Sequence, residues 1–310
     1  MAWTKHGLIY EPREIGEDIK GGGSYPVPLL LEDRIRIFFA PRNADNQSCI
    51  AYIDVAGDDP TQIIDISDGP VLNRGKLGTF DDCGVQPMQA LRHGEEVWLF
   101  YLGWNPAVNI TARNNTGLAI STDGGKTFER AFEGPVLDRT KHEPYFAFTP
   151  WVLIEDGLWR MWYASGTGWY DVDGKAEGGF EIKYAHSTDG IEWTRPNHRC
   201  LPPTRDDEVM CKPNVIKKDG RYLMWFSYRS YRDFRGGDGS YRIGYAESPD
   251  GLQWERMDDK GGLDVTPGAW DSDMTCFSST LEVGDRLYLF YNGNGFGQTG
   301  FGYAEWNDGE

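Results

Sequence analysis

Short aromatic runs recur along the chain at near-regular intervals: Ile35-Arg-Ile-Phe-Phe39, Val97-Trp-Leu-Phe-Tyr101, Trp159-Arg-Met-Trp-Tyr163, Tyr222-Leu-Met-Trp-Phe226 and Leu287-Tyr-Leu-Phe-Tyr291. Each reads as a buried strand rather than part of a helix, because no stretch sustains a helical apolar period. Twelve or thirteen residues before each central aromatic lies a segment carrying Pro26, Pro87, Pro150, Pro213 or Ser278. Tight turns at Asp156-Gly157, Asp219-Gly220 and Gly284-Asp285 join three of these pairs. In three units a shorter alternating strand follows (GLAI, IKYA, IGYA). It runs into 121–130 STDGGKTFER, 187–195 STDGIEWTR or 248–256 SPDGLQWER. The Asp side chain bonds the turn backbone and the Gly supplies a positive φ, so each copy predicts a hairpin turn. The following Phe or Trp is placed to pack between sheets.

The pattern predicts five units of four antiparallel strands, the size of a propeller blade. The last unit is one strand short after Phe301-Gly-Tyr-Ala-Glu-Trp306. Ala2-Trp-Thr-Lys5 matches Glu192-Trp-Thr-Arg195 in register, so the first residues supply the missing outer strand. That pairing closes the ring and removes a sheet edge. The expected fold is therefore an all-β, five-bladed β-propeller occupying residues 1–310 as a single domain. The first unit is the most degenerate, since Ile50-Ala-Tyr-Ile-Asp54 lacks an Asp-Gly turn. The Asp-Gly elements read as scaffold. The copy at Ser121 also fits the Asp-box of sialidases, a fold element there too.

The blade grammar is Phe-Asp, a Pro strand, an aromatic strand, then Ile-Gly-Tyr-Ala-x-Ser-x-Asp-Gly-x-x-Trp. It stands as Phe80-Asp-Asp-Cys-Gly-Val-Gln-Pro87 in the second unit, and as Cys211-Lys-Pro213 through Tyr241-Arg-Ile-Gly-Tyr-Ala-Glu-Ser-Pro-Asp-Gly-Leu-Gln-Trp254 in the fourth. Over nearly the whole chain this resembles the five-bladed propeller glycoside hydrolases, which include arabinanases, xylosidases, fructosidases and mannoside phosphorylases. The resemblance is specific for fold and weak for substrate. It implies a site at one mouth of the central channel, where the innermost strands start. Three carboxylates there would serve as base or nucleophile, as stabiliser and as general acid, because glycosidic cleavage pairs a protonated acid with an ionised carboxylate. The inner-strand starts offer Asp81 and Asp82, His142 and Glu143, Asp206, Asp207 and Glu208, and Asp271 and Asp273. In the first unit Lys20-Gly-Gly-Gly-Ser-Tyr-Pro26 stands where the family places an Asp, and only Glu17 and Asp18 lie near. The expected assignment is Glu143 as general acid and Asp82 as base or stabiliser. Asp273 is the remaining carboxylate, and Asp18 a further candidate.

The loops after the aromatic strands are polar and aromatic, as sugar sites are. With the inner-strand starts they nominate His142, Trp104, Trp169, Glu208, Lys212, Tyr228, Arg229, Arg232, Asn292 and Asn294 as substrate-binding. Arg229 and Arg232, with Arg235 and Lys212 near, are open to two readings: an anionic substrate, or pairing with neighbouring Asp residues.

Charge narrows the partners. The net charge of −17 disfavours nucleic acid and anionic membrane as partners. No apolar run reaches the length of a membrane span, and MAWTKHGLIY lacks a signal-peptide core. Five scattered cysteines without a CxxC argue against disulfides and zinc, and point to a reducing cytoplasm. Five histidines without ligand spacing argue against a metal, and no phosphate loop or dinucleotide fingerprint is present, so no cofactor is expected. The leading expectation is a glycosidase-like enzyme acting on a glycan. The alternatives are a non-catalytic carbohydrate-binding propeller, or a phosphorylase or transferase of surface-polysaccharide metabolism.

Overall fold

A computed structural model describes residues 2–307. The chain opens on β1 (Ala2–Tyr10), which waits for its partner until the end. Blade 1 comprises β2 (Gly21–Leu30), β3 (Arg34–Arg42), β4 (Ala51–Ala56) and β5 (Ile63–Ile66). Blade 2 comprises β6 (Gly84–His93), β7 (Glu96–Asn105), β8 (Arg113–Ser121) and β9 (Glu129–Arg130). Blade 3 comprises β10 (Ala147–Glu155), β11 (Leu158–Val172), β12 (Lys175–Ser187) and β13 (Thr194–Arg199). Blade 4 comprises β14 (Glu208–Lys218), β15 (Arg221–Ser230), β16 (Arg242–Ser248) and β17 (Glu255–Arg256). Blade 5 comprises β18 (Cys276–Val283), β19 (Arg286–Asn292) and β20 (Phe301–Asn307), with β1 as its fourth strand. The five-bladed propeller and its closure by the N-terminal strand are as the repeats predict. The five cysteines are unpaired.

The Asp-Gly turns form as expected. Asp123, Asp189 and Asp250 each accept two backbone N–H bonds from the residues beyond the turn, and Gly190 and Gly251 adopt φ near 75°. The aromatic after each turn packs on the second strand of the preceding blade. Phe128 meets Phe38 at 5.4 Å, Trp193 meets Phe100 at 6.3 Å and Trp254 meets Trp162 at 6.1 Å. Trp3 of β1 does the same against Trp225 at 5.5 Å, so the closing strand carries the same inter-blade contact as its counterparts. The apolar core is accordingly divided among the five blade interfaces, with one further cluster at the channel mouth.

A second device repeats within the blades. Just before or at the start of an inner strand, a buried carboxylate binds a cation on the outermost strand, and in three blades a tyrosine on the second strand as well. In blade 2, Asp81 accepts from Tyr101 Oη at 3.0 Å and from Arg130 Nε at 2.8 Å. In blade 3, Glu143 accepts from Tyr163 Oη at 2.8 Å and pairs with Arg195 at 3.0 Å. In blade 4, Phe226 replaces the tyrosine and Arg256 pairs with Glu208 at 2.9 Å. In blade 5, Asp271 accepts from Tyr291 Oη at 3.1 Å and from Lys5 Nζ at 2.6 Å. Lys5 thus stands where Arg130, Arg195 and Arg256 stand, the structural meaning of the register match seen in the sequence. The seam is tight: a Cβ on Gly302 would lie 2.0 Å from the Gly7 carbonyl, so only glycine fits.

The inner strands are tied to one another by side chains. Gln89 exchanges two bonds with Val152, Trp151 donates to the Val215 carbonyl, and Asn214 donates to Ser278. Every inner strand carries a register shift at its Pro or Ser. In four, the preceding residue is left-handed: Tyr25, Thr149, Lys212 and Phe277, with φ between 49° and 58°. A non-glycine residue held there costs on the order of 1–3 kcal/mol, and its recurrence marks a shared bulge in the channel wall.

Two outcomes follow. Lys5→Met leaves the buried Asp271 carboxylate without its cation and lowers stability by about 3 kcal/mol in urea unfolding, whereas Lys5→Arg retains most of it. Equal stability of Lys5→Met and wild type would contradict the closure. Burial also pushes the Lys212 ammonium down to about 7. Unfolded lysine titrates near 10.4, so between the two values the unfolded chain holds a proton that the native chain has lost, and stability rises with pH across that window. Unfolding midpoints at pH 7.0 and 8.3 should therefore rise more steeply in wild type than in Lys212→Met; parallel slopes would refute it.

Candidate functional site

The loops beyond the second strands converge over the channel mouth around a cavity of about 380 Å³. From the inner strands come Ser24 and Tyr25, Gln86, Phe148 and Phe277, and Phe146 stands just before β10. Arg42 closes β3, Thr111 comes from the β7–β8 connection, and Asn114 from the start of β8. The longest hairpin, β11–β12, turns at Asp173-Gly174, both left-handed, and carries Trp169 opposite Gly178 and Tyr170 opposite Glu177. A bulge between Gly166 and Gly168 shifts its register just before Trp169. Arg229 lies near the end of β15, the β15–β16 connection supplies Phe234, Arg235 and Tyr241, and Phe296 completes the rim.

Aromatic rings form most of the wall. Tyr25 stacks on Phe277 at 4.0 Å, and Trp169 meets Phe146 edge-on at 5.4 Å. Burial pushes the Tyr25 hydroxyl well above its ordinary range, so it stays a neutral phenol. The Tyr25 backbone is fixed by Asn292, whose Oδ1 accepts from its N–H at 2.7 Å and whose Nδ2 donates to the Gly23 and Gly300 carbonyls. The glycine run before Tyr25 provides the left-handed Gly22 that brings this segment to the mouth.

The carboxylates are distributed differently from the expectation. Among the described residues lining the cavity, Glu177 is the one acid, buried and 2.7 Å from the Arg235 guanidinium. None of the four expected catalytic carboxylates lines it. Glu143 is enclosed by Tyr163, Ser165, Lys183 and Arg195. Burial raises its pKa, but the Ser165 and Tyr163 hydroxyls and the charges of Arg195 and Lys183 outweigh that and hold it below the ordinary value. Asp82 caps the Gly78 N–H at 2.9 Å. Asp273 is exposed, its N–H donating to Asn294 Oδ1, and Asp18 is exposed at the surface.

Of the expected binding residues, Trp169 and Arg229 line the cavity, and Asn292 positions one wall. Trp104 lies behind Arg42, 5.7 Å away, donating to Ser48 Oγ. Lys212 is buried beneath the mouth, bonded to the Met88 carbonyl at 2.9 Å and Ser279 Oγ at 3.0 Å, which crosses from blade 4 to blades 2 and 5. Glu208 is held by Arg256 and Thr204, and Tyr228 lies under Arg256. His142 and Arg232 are exposed, Arg232 against the Tyr231 ring. Asn294 caps Asp273 and Met274. The sequence reading missed Glu177, Arg42, Gln86 and Asn114. The length of the β11–β12 hairpin, legible from GTGWYDVDGKAEGGF, was the available signal for the first.

On this geometry Glu143→Gln strands Arg195 without its acid and lowers stability by about 3 kcal/mol at neutral pH. The glutamate's stabilisation is present above the unfolded value near 4.3 and is lost as pH falls through its lower native value. Wild type should therefore lose more stability than the variant between pH 5 and pH 3, and an equal loss would remove the ion pair from the account.

No family model matches the chain. Among curated proteins it is 36% identical over 306 residues to the Uncharacterized protein Rv1502 of Mycobacterium tuberculosis strain H37Rv, covering 98% of this chain and 99% of that protein. Among solved structures it superimposes on a glycoside hydrolase with a TM-score of 0.75 and 17% identity, covering 98% of this chain and 92% of that one. It superimposes on a thermostable family-43 glycoside hydrolase with a TM-score of 0.65 and 16% identity, covering 97% and 95%. At these identities the structural likeness carries the fold. Among the described residues no helix is long and apolar enough to cross a membrane.

Proposed function

This chain belongs to the same family as Rv1502 of Mycobacterium tuberculosis, and on that footing we propose that it is a glycoside-processing enzyme whose site is the channel mouth, with Glu177 as the proton-handling carboxylate. The lining of the cavity carries the reading. A sugar ring offers apolar C–H faces and hydroxyl edges, and the mouth combines Trp169 and Phe146 with Ser24, Gln86, Thr111 and Asn114. Glycosidic cleavage protonates the leaving oxygen from one side and attacks the anomeric carbon from the other. Glu177 is the acid that reaches this space. The carboxylates before the inner strands build the blades in this proposal and leave the chemistry to the mouth. The fold shared with glycoside hydrolases supports the reaction class by analogy.

One observation favours a second reading. Hydrolysis by paired carboxylates needs two acids, and Glu177 is the one acid among the described lining residues. A sugar-binding propeller without turnover fits that lining, and so does a phosphorylase in which phosphate replaces the second carboxylate.

Mass-spectrometric turnover of aryl glycosides and oligosaccharides, with and without phosphate, separates them. Glu177→Gln should lower the rate by about 100-fold or more while remaining folded. Glu143→Gln, where folded, should keep it. Release that requires phosphate identifies a phosphorylase, and thermal stabilisation by a sugar without turnover identifies the binding propeller. A rate that survives Glu177→Gln and vanishes in folded Glu143→Gln would overturn the assignment.

A further inference from the structure

Arg36 and Arg229 are the buried arginines among the described residues, and their surroundings differ sharply. Arg36 is held by both oxygens of Asp54 at 2.8 Å. Arg229, 6% exposed in the cavity wall, has no carboxylate within ion-pair distance among the described residues, although the chain holds 48 acidic residues against 31 Lys and Arg. Its Nη1 donates to the Ser230 carbonyl at 2.8 Å, and its Nε has no partner. Phe234, Phe180 and Tyr241 surround the guanidinium at 3.7, 5.1 and 5.4 Å. Such rings stabilise the cation, yet its N–H donors lie in its own plane and still need acceptors.

Arg42 repeats the situation from the other side of the mouth. It lines the same cavity, donates to the Asn46 carbonyl at 2.7 Å and meets no acid among the described residues. Burial pushes its pKa down. Arg235 differs, because Glu177 balances it. The mouth therefore carries an excess of positive charge inside an acidic protein. A buried charge without a counterion costs several kcal/mol, and the missing partner is an anion with oxygens to accept from these donors.

Resting on the sugar-site reading above, we propose that Arg229 and Arg42 form an oxyanion receptor in the channel mouth, so that the ligand brings a carboxylate or phosphoryl group to it. That group has two sources, an acidic sugar or free inorganic phosphate bound beside a neutral one. A guanidinium holds either through parallel N–H bonds.

Calorimetric titration of the intact protein tests this with three probes: methyl glycosides of uronic acids and sugar phosphates, their neutral parents, and inorganic phosphate alone. If the sugar supplies the anion, a charged glycoside binds about ten-fold or more tighter than its neutral parent. Arg229→Met and Arg42→Met then each erase that preference. If phosphate supplies it, phosphate alone binds wild type and is lost in both variants. Arg42 is only half-buried, so Arg42→Met keeps the test open should Arg229→Met fail to fold. Neutral parents that bind wild type and variants alike, with neither charged sugars nor phosphate gaining, would overturn the receptor and leave the sugar site standing. If no probe binds, and Trp169→Ala changes nothing in the turnover screen, both the receptor and the sugar site fall.

Discussion

The structure depends on burying a carboxylate at the entry of an inner strand and satisfying it from within the same blade. Asp81, Glu143 and Asp271 each take a hydroxyl from the second strand and a cation from the outermost one. A buried ion pair contributes little net free energy, but breaking one is costly, so its effect is to exclude other registers. Each bridge fixes where the chain enters a blade relative to where it leaves. In blade 5 the outer cation is Lys5, 266 residues earlier in the chain, so one interaction specifies both the blade and the ring. Trp3, two residues before it, adds the aromatic contact that the other blades take from their Asp-Gly turns.

The lining of the channel mouth does not include these paired carboxylates. The bulges at Tyr25 and Phe277 bring two stacked rings to the mouth, and the β11–β12 and β15–β16 hairpins bring Trp169, Glu177, Arg229 and Arg235. Beneath them Lys212 and Asn214 knit the inner strands with hydrogen bonds. The result is a cavity with an aromatic wall, one acid, and two guanidiniums that no described carboxylate neutralises. Under the proposed function, such a surface takes both faces and edges of a sugar ring, with an anionic group on it or beside it.

The fold was legible because its determinants are local and repeated. Asp-Gly turns, aromatic strands and the match of Ala2–Lys5 to Glu192–Arg195 each reflect one contact made several times over. The site was legible only in part. Trp169 and Arg229 stand in segments whose composition departs from the blade pattern; these segments are the ends of β11 and β15, and both residues line the cavity. Of the recurrent acids at the blade entries, Asp81, Glu143, Glu208 and Asp271 pair with cations of the outermost strands. A family resemblance places catalysis at those positions, and the sequence does not show that tyrosines and arginines of the same blade already occupy Asp81 and Glu143. Glu177 and Arg42 left no repeated trace, because a site needs each residue once.

The most direct measurement is a crystal structure of the protein soaked with a uronic acid. The account predicts the sugar in the channel mouth, its ring against Trp169, its carboxylate on Arg229 and Arg42, and its anomeric oxygen nearest Glu177. A sugar held instead by Asp82, Glu143 or Asp273, with the mouth empty, would contradict it.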